Sequence, residues 1–345
     1  MPTPHRLLPT SPALLMVILP LAGLLSSSAM AQSHDFKDWA IACDNTRHCE
    51  AVGYQAEGSE GEAVAMQLVR DAGPSSPVQI RLTWDEESTA GQPATLKIGS
   101  LVLGSIKPEQ ALFDSQVRQL LPALLKADKA ILTTSKSQRT LSLAGVNAAL
   151  LKMDDLQGRI DTPGALVRKG SKPEGSVLPP LPLPTVRVAA LPAAKGHDDK
   201  LLQAIFKSIK DRSCFDDMPD AEKPETLLQA ISSTQVLVMR ECGRGAYQGS
   251  STLWLANIKP PHAPQVVMLP TPSGKPVDYV MNADFDKGRL NSWSKGRGIN
   301  DCGEGMTWGW NGKQFELISA SSAPLCRGLP MGGFALQTWQ AKVVP

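Results

Sequence analysis

Met306-Thr307-Trp308-Gly309-Trp310-Asn311-Gly312-Lys313-Gln314-Phe315-Glu316-Leu317 is the stretch on which the fold turns. Asn-Gly suits the two positive-φ positions of a type I′ turn, so it predicts a hairpin with Trp308 across from Phe315 and Met306 across from Leu317. Side chains alternate along a strand, so these four share one face. Core packing is the first reading of Trp308, and a glycan-stacking platform is the second.

The same period of two recurs upstream, where Val78, Ile80, Leu82 and Trp84 alternate with Gln79, Arg81 and Thr83. Further strands are predicted over 39–43, 50–55, 63–70, 95–98, 130–134 and 140–143, and in the rear half over 236–239, 252–257, 265–269, 277–281 and 290–293. Three segments have helical spacing instead. Residues 114–126 carry Val117, Leu120, Leu121, Leu124 and Leu125, with Pro122 expected to kink or restart the helix. Residues 146–156 form the second, and 198–210 the third, with an apolar stripe of Leu201, Leu202, Ile205, Phe206 and Ile209. No repeat of fixed period is present. The expected fold is α+β, two disulfide-stapled domains rich in antiparallel sheet with a few helices.

A boundary falls at 172–196, which holds Pro173, Pro179, Pro180, Pro182, Pro184 and Pro192. Proline fixes φ and removes backbone donors, so the segment reads as a semi-rigid extended spacer of roughly 3.1 Å per residue. It separates an N-terminal domain, 32–171, from a C-terminal domain, 197–345. Leu181-Pro182-Leu183-Pro184 as a ligand for an aromatic groove is the alternative.

The chain opens with Arg6, an apolar run over 13–25 broken by Pro20 and Gly23, three serines and Ala29-Met30-Ala31. That order is a secretory signal peptide over 1–31, with the mature chain starting at Gln32. A retained anchor is the alternative, although the run is short for a span. No cysteine follows the cleavage point to carry a lipid, and no later stretch approaches spanning length. The expected product is therefore soluble, periplasmic or secreted. Removing the leader takes away only Arg6 from 35 basic and 33 acidic residues. Such balance leaves no electrostatic footprint for nucleic acid or an anionic membrane.

An even count of six cysteines in an exported chain reads as three disulfides among Cys43, Cys49, Cys214, Cys242, Cys302 and Cys326. Cys43 and Cys49 enclose five polar residues and predict a local bridge closing a hairpin. For the rest, Cys214 with Cys242 and Cys302 with Cys326 is the nearest-neighbour pairing, and crossed pairing stays open. Each bridge would contribute about 2–4 kcal/mol by restricting the unfolded chain. Cys43, His48 and Cys49 match no zinc spacing, so no metal is expected there.

Catalytic patterns are scarce. The mature chain has only His34, His48, His197 and His262, in no arrangement that suggests a general base. There is no Gly-x-Ser-x-Gly elbow, metal-binding His-Glu-x-x-His or phosphate loop, so no cofactor is implied. Ser292-Trp293-Ser294-Lys295 fits Ser-x-x-Lys without its companion Lys-Thr-Gly. Asn282-x-Asp284-x-Asp286 opens like a calcium loop but has Lys287 where glycine belongs and Trp293 at the glutamate position. The candidate binding loop is 295–303. The glycines Gly296, Gly298 and Gly303 allow backbone N–H groups close to a ligand, and Lys295 with Arg297 could hold a carboxylate or phosphate near Asp301. A solvated loop beside a disulfide is the bland alternative.

Phe36-x-Asp38-Trp39-x-x-Ala42-Cys43-Asp44-Asn45, Cys49-x-Ala51, Met153-Asp154-Asp155-x-Gln157-Gly158-Arg159 and Ala165-Leu166-Val167-Arg168-Lys169-Gly170 follow one another in the front half. Cys242-x-x-Gly245-Ala246-Tyr247, Lys295-Gly296-Arg297-Gly298, Asp301-Cys302-Gly303 and Trp308-x-Trp310-x-Gly312-x-x-Phe315-x-Leu317 continue the series. In this order the motifs resemble the exported bacterial family known as domain of unknown function 1176, over nearly the whole mature chain. The front part also resembles the exported, β-rich invasion-associated locus B proteins through its Trp-x-x-x-Cys opening. The resemblance implies an exported protein and carries no catalytic residue with it.

The function expected is a non-catalytic protein that binds or supports an envelope component, protein or glycan. Two rivals stay open. One is a peptidoglycan or glycan hydrolase working with Asp284, Asp286 and Glu304, since carboxylate pairs leave no tight sequence signature. The other is an inhibitor of a hydrolase.

Overall fold

The computed structural model of the protein describes residues 32–59, 62–84, 92–193 and 198–344. The expected leader with its Ala29-Met30-Ala31 end, and His197, lie outside them. The described chain is mostly antiparallel sheet, cross-linked by Cys43–Cys49, Cys214–Cys242 and Cys302–Cys326. Among these residues no helix is long and apolar enough to cross a membrane.

Five strands form a meander in sequence order: β1 (Gln32–Phe36), β2 (Trp39–Cys43), β3 (Cys49–Tyr54), β4 (Val64–Arg70) and β5 (Val78–Trp84). Cys43 stands opposite Cys49, so their bridge closes the β2–β3 hairpin. Strands β2, β3 and β4 are buried along their whole length because both faces are covered. One face, with Trp39, Ile41, Met66 and Leu68, belongs to the front core. The other, mostly small residues (Ala40, Ala42, Val52, Ala65) beside Tyr54, packs on Leu329, Phe334 and Leu336 from the rear half. Gly53 lies flat under the Trp39 indole: a Cβ there would stand 2.1 Å from Trp39 Cε2. The indole N–H donates to Ser142 O at 2.9 Å.

Strands β6 (Ala94–Ile98), β7 (Leu101–Ile106), β8 (Lys129–Thr133) and β9 (Gln138–Ser142) form a second sheet in the order β7-β6-β8-β9. It shares the front core with helices α1 (Asp114–Leu124) and α2 (Val146–Leu156). The restart expected at Pro122 does not occur, and α1 runs through it to Leu124. Pro122 lies in the last turn of α1, where its missing N–H frees a single carbonyl and the helix is about to end. The segment after α2 is tied down by its polar residues. Buried Asp154 accepts from the N–H groups of Leu166 and Val167 at 2.8 and 3.0 Å. Gln157 Nε2 donates to the carbonyls of Arg47 and Arg70, and Arg159 donates to Gln157 Oε1 and to the carbonyls of Asp71 and Gly73. The Met153–Arg159 motif is thus a structural knot beneath the Cys43–Cys49 hairpin.

After a single 3-10 turn at Glu174–Ser176, the described part of the proline-rich segment, up to 193, is extended and much of it is docked. Gly73 donates to Leu178 O, Leu181 to Thr46 O, and Ala189 to Trp310 O. Within it lies β10 (Thr185–Arg187).

The rear half begins with α3 (Asp199–Ser208), capped by Asp198 accepting from Leu201 N, and α4 (Ser213–Asp217). Strands β11 (Thr226–Ala230), β12 (Gln235–Arg244), β13 (Gly249–Asn257), β14 (Gln265–Val266) and β15 (Tyr279–Met281) form one sheet. Strands β16 (Asp284–Asp286), β17 (Arg289–Lys295), β18 (Gly303–Trp310), β19 (Phe315–Ala323) and β20 (Leu336–Gln340) follow in order as the other. Alternation along β12 decides the layers. Val236 and Val238 meet Ile205, Phe206 and Phe215, while Leu237 joins Leu253, Leu290, Trp308, Phe315 and Leu317 between the sheets. A last strand, β21 (Lys342–Val344), pairs in parallel with β10.

The hairpin predicted around Asn311-Gly312 forms with its register moved by two. Trp310 pairs with Phe315 and Trp308 with Leu317. Asn311 Oδ1 accepts from the N–H groups of both Lys313 and Gln314 at 2.9 Å, which makes a four-residue loop instead of a two-residue turn. A shift of two keeps every side chain on its face. Trp308 is 2% exposed and donates to Pro270 O at 2.7 Å, so it is a core residue and not a glycan platform.

The tip of the Cys43–Cys49 hairpin clasps β20. Asn45 and Gln340 exchange two hydrogen bonds, of 3.0 and 2.9 Å, and Gln340 Nε2 donates to Asp44 Oδ2 at 2.6 Å. Gln337 N donates to Glu50 Oε2 at 2.8 Å, Tyr54 Oη to Gly332 O at 2.8 Å, and Arg327 to Asp38 at 3.0 Å. His48 sits behind this clasp with Nδ1 on Asp71 at 2.7 Å and Nε2 on Glu50 at 3.2 Å.

Candidate functional site

The loop 295–303 leaves β17 and returns as β18, closed at its base by the Gly296 N–H donating to Cys302 O at 2.9 Å. Inside it the Asn300 N–H donates to Arg297 O, so residues 297–300 make a tight turn. Arg297 lies bidentate on Asp301, with Nε to Oδ1 at 2.7 Å and Nη2 to Oδ2. Asp301 is fully buried and also accepts from Gly328 N at 2.6 Å. The hydrogen bond from Arg297 holds the Asp301 carboxyl below the usual carboxylate range, against the opposing effect of burial. The two cations expected in this loop, Lys295 and Arg297, thus have different states. Arg297 is committed to Asp301, whereas Lys295 Nζ makes one long contact, 3.4 Å, to Tyr247 O.

Two neighbouring loops complete the surface. The β12–β13 tip docks through Gln248 Oε1, which accepts from Lys295 N at 2.9 Å, and Gly298 approaches the Tyr247 ring so closely that a Cβ there would stand 3.3 Å from Cδ1. On the other side Met331 N donates to Asn300 O at 2.6 Å, and Trp293 Nε1 to Asn300 Oδ1 at 2.5 Å. Tyr247, Ile299 and Met331 therefore stand on three cross-tied loops, exposed by 44%, 66% and 48%. Arg244 repeats the Arg297 device on the β12–β13 tip. It lies bidentate on Glu241, whose side chain is buried, and that hydrogen bond keeps the Glu241 carboxyl low. In both pairs the carboxylate faces inward and the half-exposed guanidinium faces solvent. A cleft of about 460 Å³ lies alongside, lined by Glu225, Glu241, Arg244, Tyr247, Gln248 and Asn282.

Chemically the arrangement is a rigid amphipathic platform. Tyr247 and Ile299, which have few rotamers to lose, and the adaptable Met331 stand among guanidiniums whose orientation is preset, which limits the ordering needed when a partner docks. Asp301, Cys302 and Cys326 bring metal-ligating atom types together, but the two sulfurs are bonded to each other.

Sequence reasoning placed Lys295, Gly296, Arg297, Gly298, Asp301 and Gly303 in one loop, and the structure adds Tyr247, Arg244, Ile299 and Met331 around it. The Cys242-x-x-Gly245-Ala246-Tyr247 motif was the available signal for the β12–β13 tip. Other residues considered for chemistry do not converge. Asp284 pairs in register with Asn291 and hence Thr307, while Glu304 pairs with Ser294, so the carboxylates project from opposite faces of the sheet. Glu304 instead lines a hydroxyl-rich cleft of about 560 Å³ with Ser33, Lys275, Ser321, Ser322 and Thr338. Ser292 Oγ bonds both the N–H and the carbonyl of Met281, and Asn282 spends its amide on Gly249 N and Trp293 O. His262 Nδ1 meets Asn257 O, remote in sequence from His34 in β1 and from His48 in the clasp.

Three comparisons with known proteins bear on this chain. The family model described as "Protein of unknown function (DUF1176)" matches residues 33–342. The uncharacterized protein YpfG of Escherichia coli strain K12 is 29% identical over 313 residues, covering 84% of this chain and 88% of that protein. The crystal structure of invasion associated protein B from Bartonella henselae aligns with 37% of this chain and 99% of its own, at 18% identity and a TM-score of 0.29.

Proposed function

This chain belongs to the DUF1176 family of proteins of unknown function, and from that premise we propose that it is an exported, non-catalytic protein that binds or supports an envelope component. The order of residues 1–31 and the three disulfides support a periplasmic or secreted location, because disulfides persist in oxidising compartments. The proposed architecture is α+β, with domains over 32–171 and 197–345 joined by the proline-rich segment 172–196.

The docking face is the loop cluster around Cys302–Cys326. One observation carries this: Tyr247, Ile299 and Met331 are exposed together on loops that are tied to one another. Tyrosine, methionine and arginine are enriched where proteins meet proteins, which supports a protein partner over a glycan. Lys295 at the rim suits a partner segment that carries a carboxylate, beside the half-exposed guanidiniums that Asp301 and Glu241 hold in place.

A photo-crosslinking residue at position 299, in the full chain exported by its own cell, tests the proposal. We expect one discrete adduct, reduced about tenfold by Tyr247→Ala, as for loss of an interface anchor. The same probe at position 287, at the far end of β17, should give none. Equal adducts from both positions, or none from either, would refute the docking face. If the partner is a hydrolase, inhibition assays with lysozymes and proteases will show it.

A further inference from the structure

We propose that the chain self-associates through the open edge of β7, two copies pairing antiparallel about a two-fold axis at Val102. Among the described residues, strand β7 is the end of its sheet and is hydrogen-bonded to β6 alone. No described residue outside β6 bonds to the backbone of residues 101–105. An uncovered edge is a template for another strand, and proteins ordinarily blunt it with charge, proline or a covering element. Residues 99–106, Gly-Ser-Leu-Val-Leu-Gly-Ser-Ile, hold no charge and no proline. Val102 is 58% exposed.

The occupant follows from the pattern of side chains. With the axis at Val102, Leu101 of one copy faces Leu103 of the other, and Val102 faces Val102. Leu101 and Leu103, on one face of the strand before its bulge, lean on the front core that Ile106 enters beyond it, so both copies keep their apolar side inward. Val102 meets its equivalent on the outer face, a β-branched cross-strand pair. The nearest charge on that face is Lys97, across the ladder from Val102. Two copies of Lys97 would be three strand spacings apart, roughly 14 Å, beyond the ~8 Å screening length at physiological salt. Like charge therefore does not oppose the pairing. Gly104 and Ser105, the latter at φ 59°, end the regular edge, so the contact is short and the association weak.

Sedimentation of the purified, oxidised full chain across the micromolar range tests this. The average mass should rise toward two chains with concentration, and Val102→Lys should weaken the association at least about tenfold by placing like charges across the axis. Val102 is exposed, so circular dichroism and the unfolding midpoint should be unchanged. Independently, Val102→Cys should be joined to its copy by a short bismaleimide, whereas Thr133→Cys on β8 should not. A chain that stays monomeric and fails to crosslink at position 102, or a dimer that Val102→Lys leaves intact, would overturn the proposal. Ile299→Lys on the loop cluster should leave self-association unchanged, which separates this interface from the proposed partner face.

Discussion

His48 offers the most quantitative test of how the front hairpin is held. Burial alone would lower its imidazole, but hydrogen bonds to Glu50 and Asp71, with the charges of Glu50 and Asp44, outweigh this and raise it from 6.5 to about 9. A folded pKa above the unfolded one means the protonated ring stabilises the native state. The contribution is complete below the unfolded value of 6.5 and is lost as pH rises through about 9. At about 1.36 kcal/mol for each pKa unit, the rise corresponds to about 3 kcal/mol. The Asp71 side chain is 73% exposed and its share is screened by solvent, so about 2 kcal/mol is the better expectation. His48→Gln keeps an amide in place without the charge. Urea unfolding of the oxidised protein should show the variant less stable by that amount at pH 6, with the gap closing toward pH 10. A titration of the His48 ring by NMR gives the pKa directly. A midpoint at or below 7, or a gap that does not change with pH, would refute the reasoning.

Other expectations are narrower. Gly53→Ala should destabilise by about 3 kcal/mol or more, seen in chemical unfolding, because the new methyl overlaps the Trp39 indole between two covered faces. Asp301→Ala should cost about 2–3 kcal/mol by removing a buried acceptor from Arg297 and Gly328, with Asp301→Asn intermediate. The Asp301 carboxyl is held low, so its contribution should fade as pH falls below the usual carboxylate range. Limited proteolysis should cut within 190–196, beyond the Ala189–Trp310 hydrogen bond, and the two pieces should co-elute because the clasp and the Leu329, Phe334 and Leu336 contacts remain. Pieces that separate without denaturant would show that the halves do not hold each other.

Much of the fold was legible because period and turn chemistry are local. The span of α2 was predicted to the residue, the β5 alternation matches its burial pattern, and α3 falls inside its predicted span, 198–210, with Asp198 as its cap instead of its first residue. The misses have local causes too. Asn311 turns its side chain on the following N–H groups and lengthens a loop that its dipeptide would shorten, and Pro122 comes too late in α1 to break it. Edge strands such as β1 and β7 were missed, since one-sided pairing leaves little hydrophobic periodicity in the chain. At the candidate site the loop 295–303 was visible from its glycines and charges. Nothing local indicated that Arg297 would be spent on Asp301, or that Tyr247 would lie against Gly298 from about fifty residues away.

By itself the sequence determined the strand-rich halves, the covalent clip at Cys43–Cys49 and the helices, because each depends on residues within one or two turns of each other. It also located the cysteines that staple the rear loops. Tertiary structure alone decided that the alanine face of β2–β4 is an interior surface, that the proline-rich segment is docked, and that Asn45 reaches Gln340 across almost the whole chain. It also decided the composition of the site, since exposure of Tyr247, Ile299 and Met331 depends on which loops the sheets bring to the same end. Small residues and polar tips are compatible with either solvent or a packed partner. The choice between them is made only when the two halves close on each other.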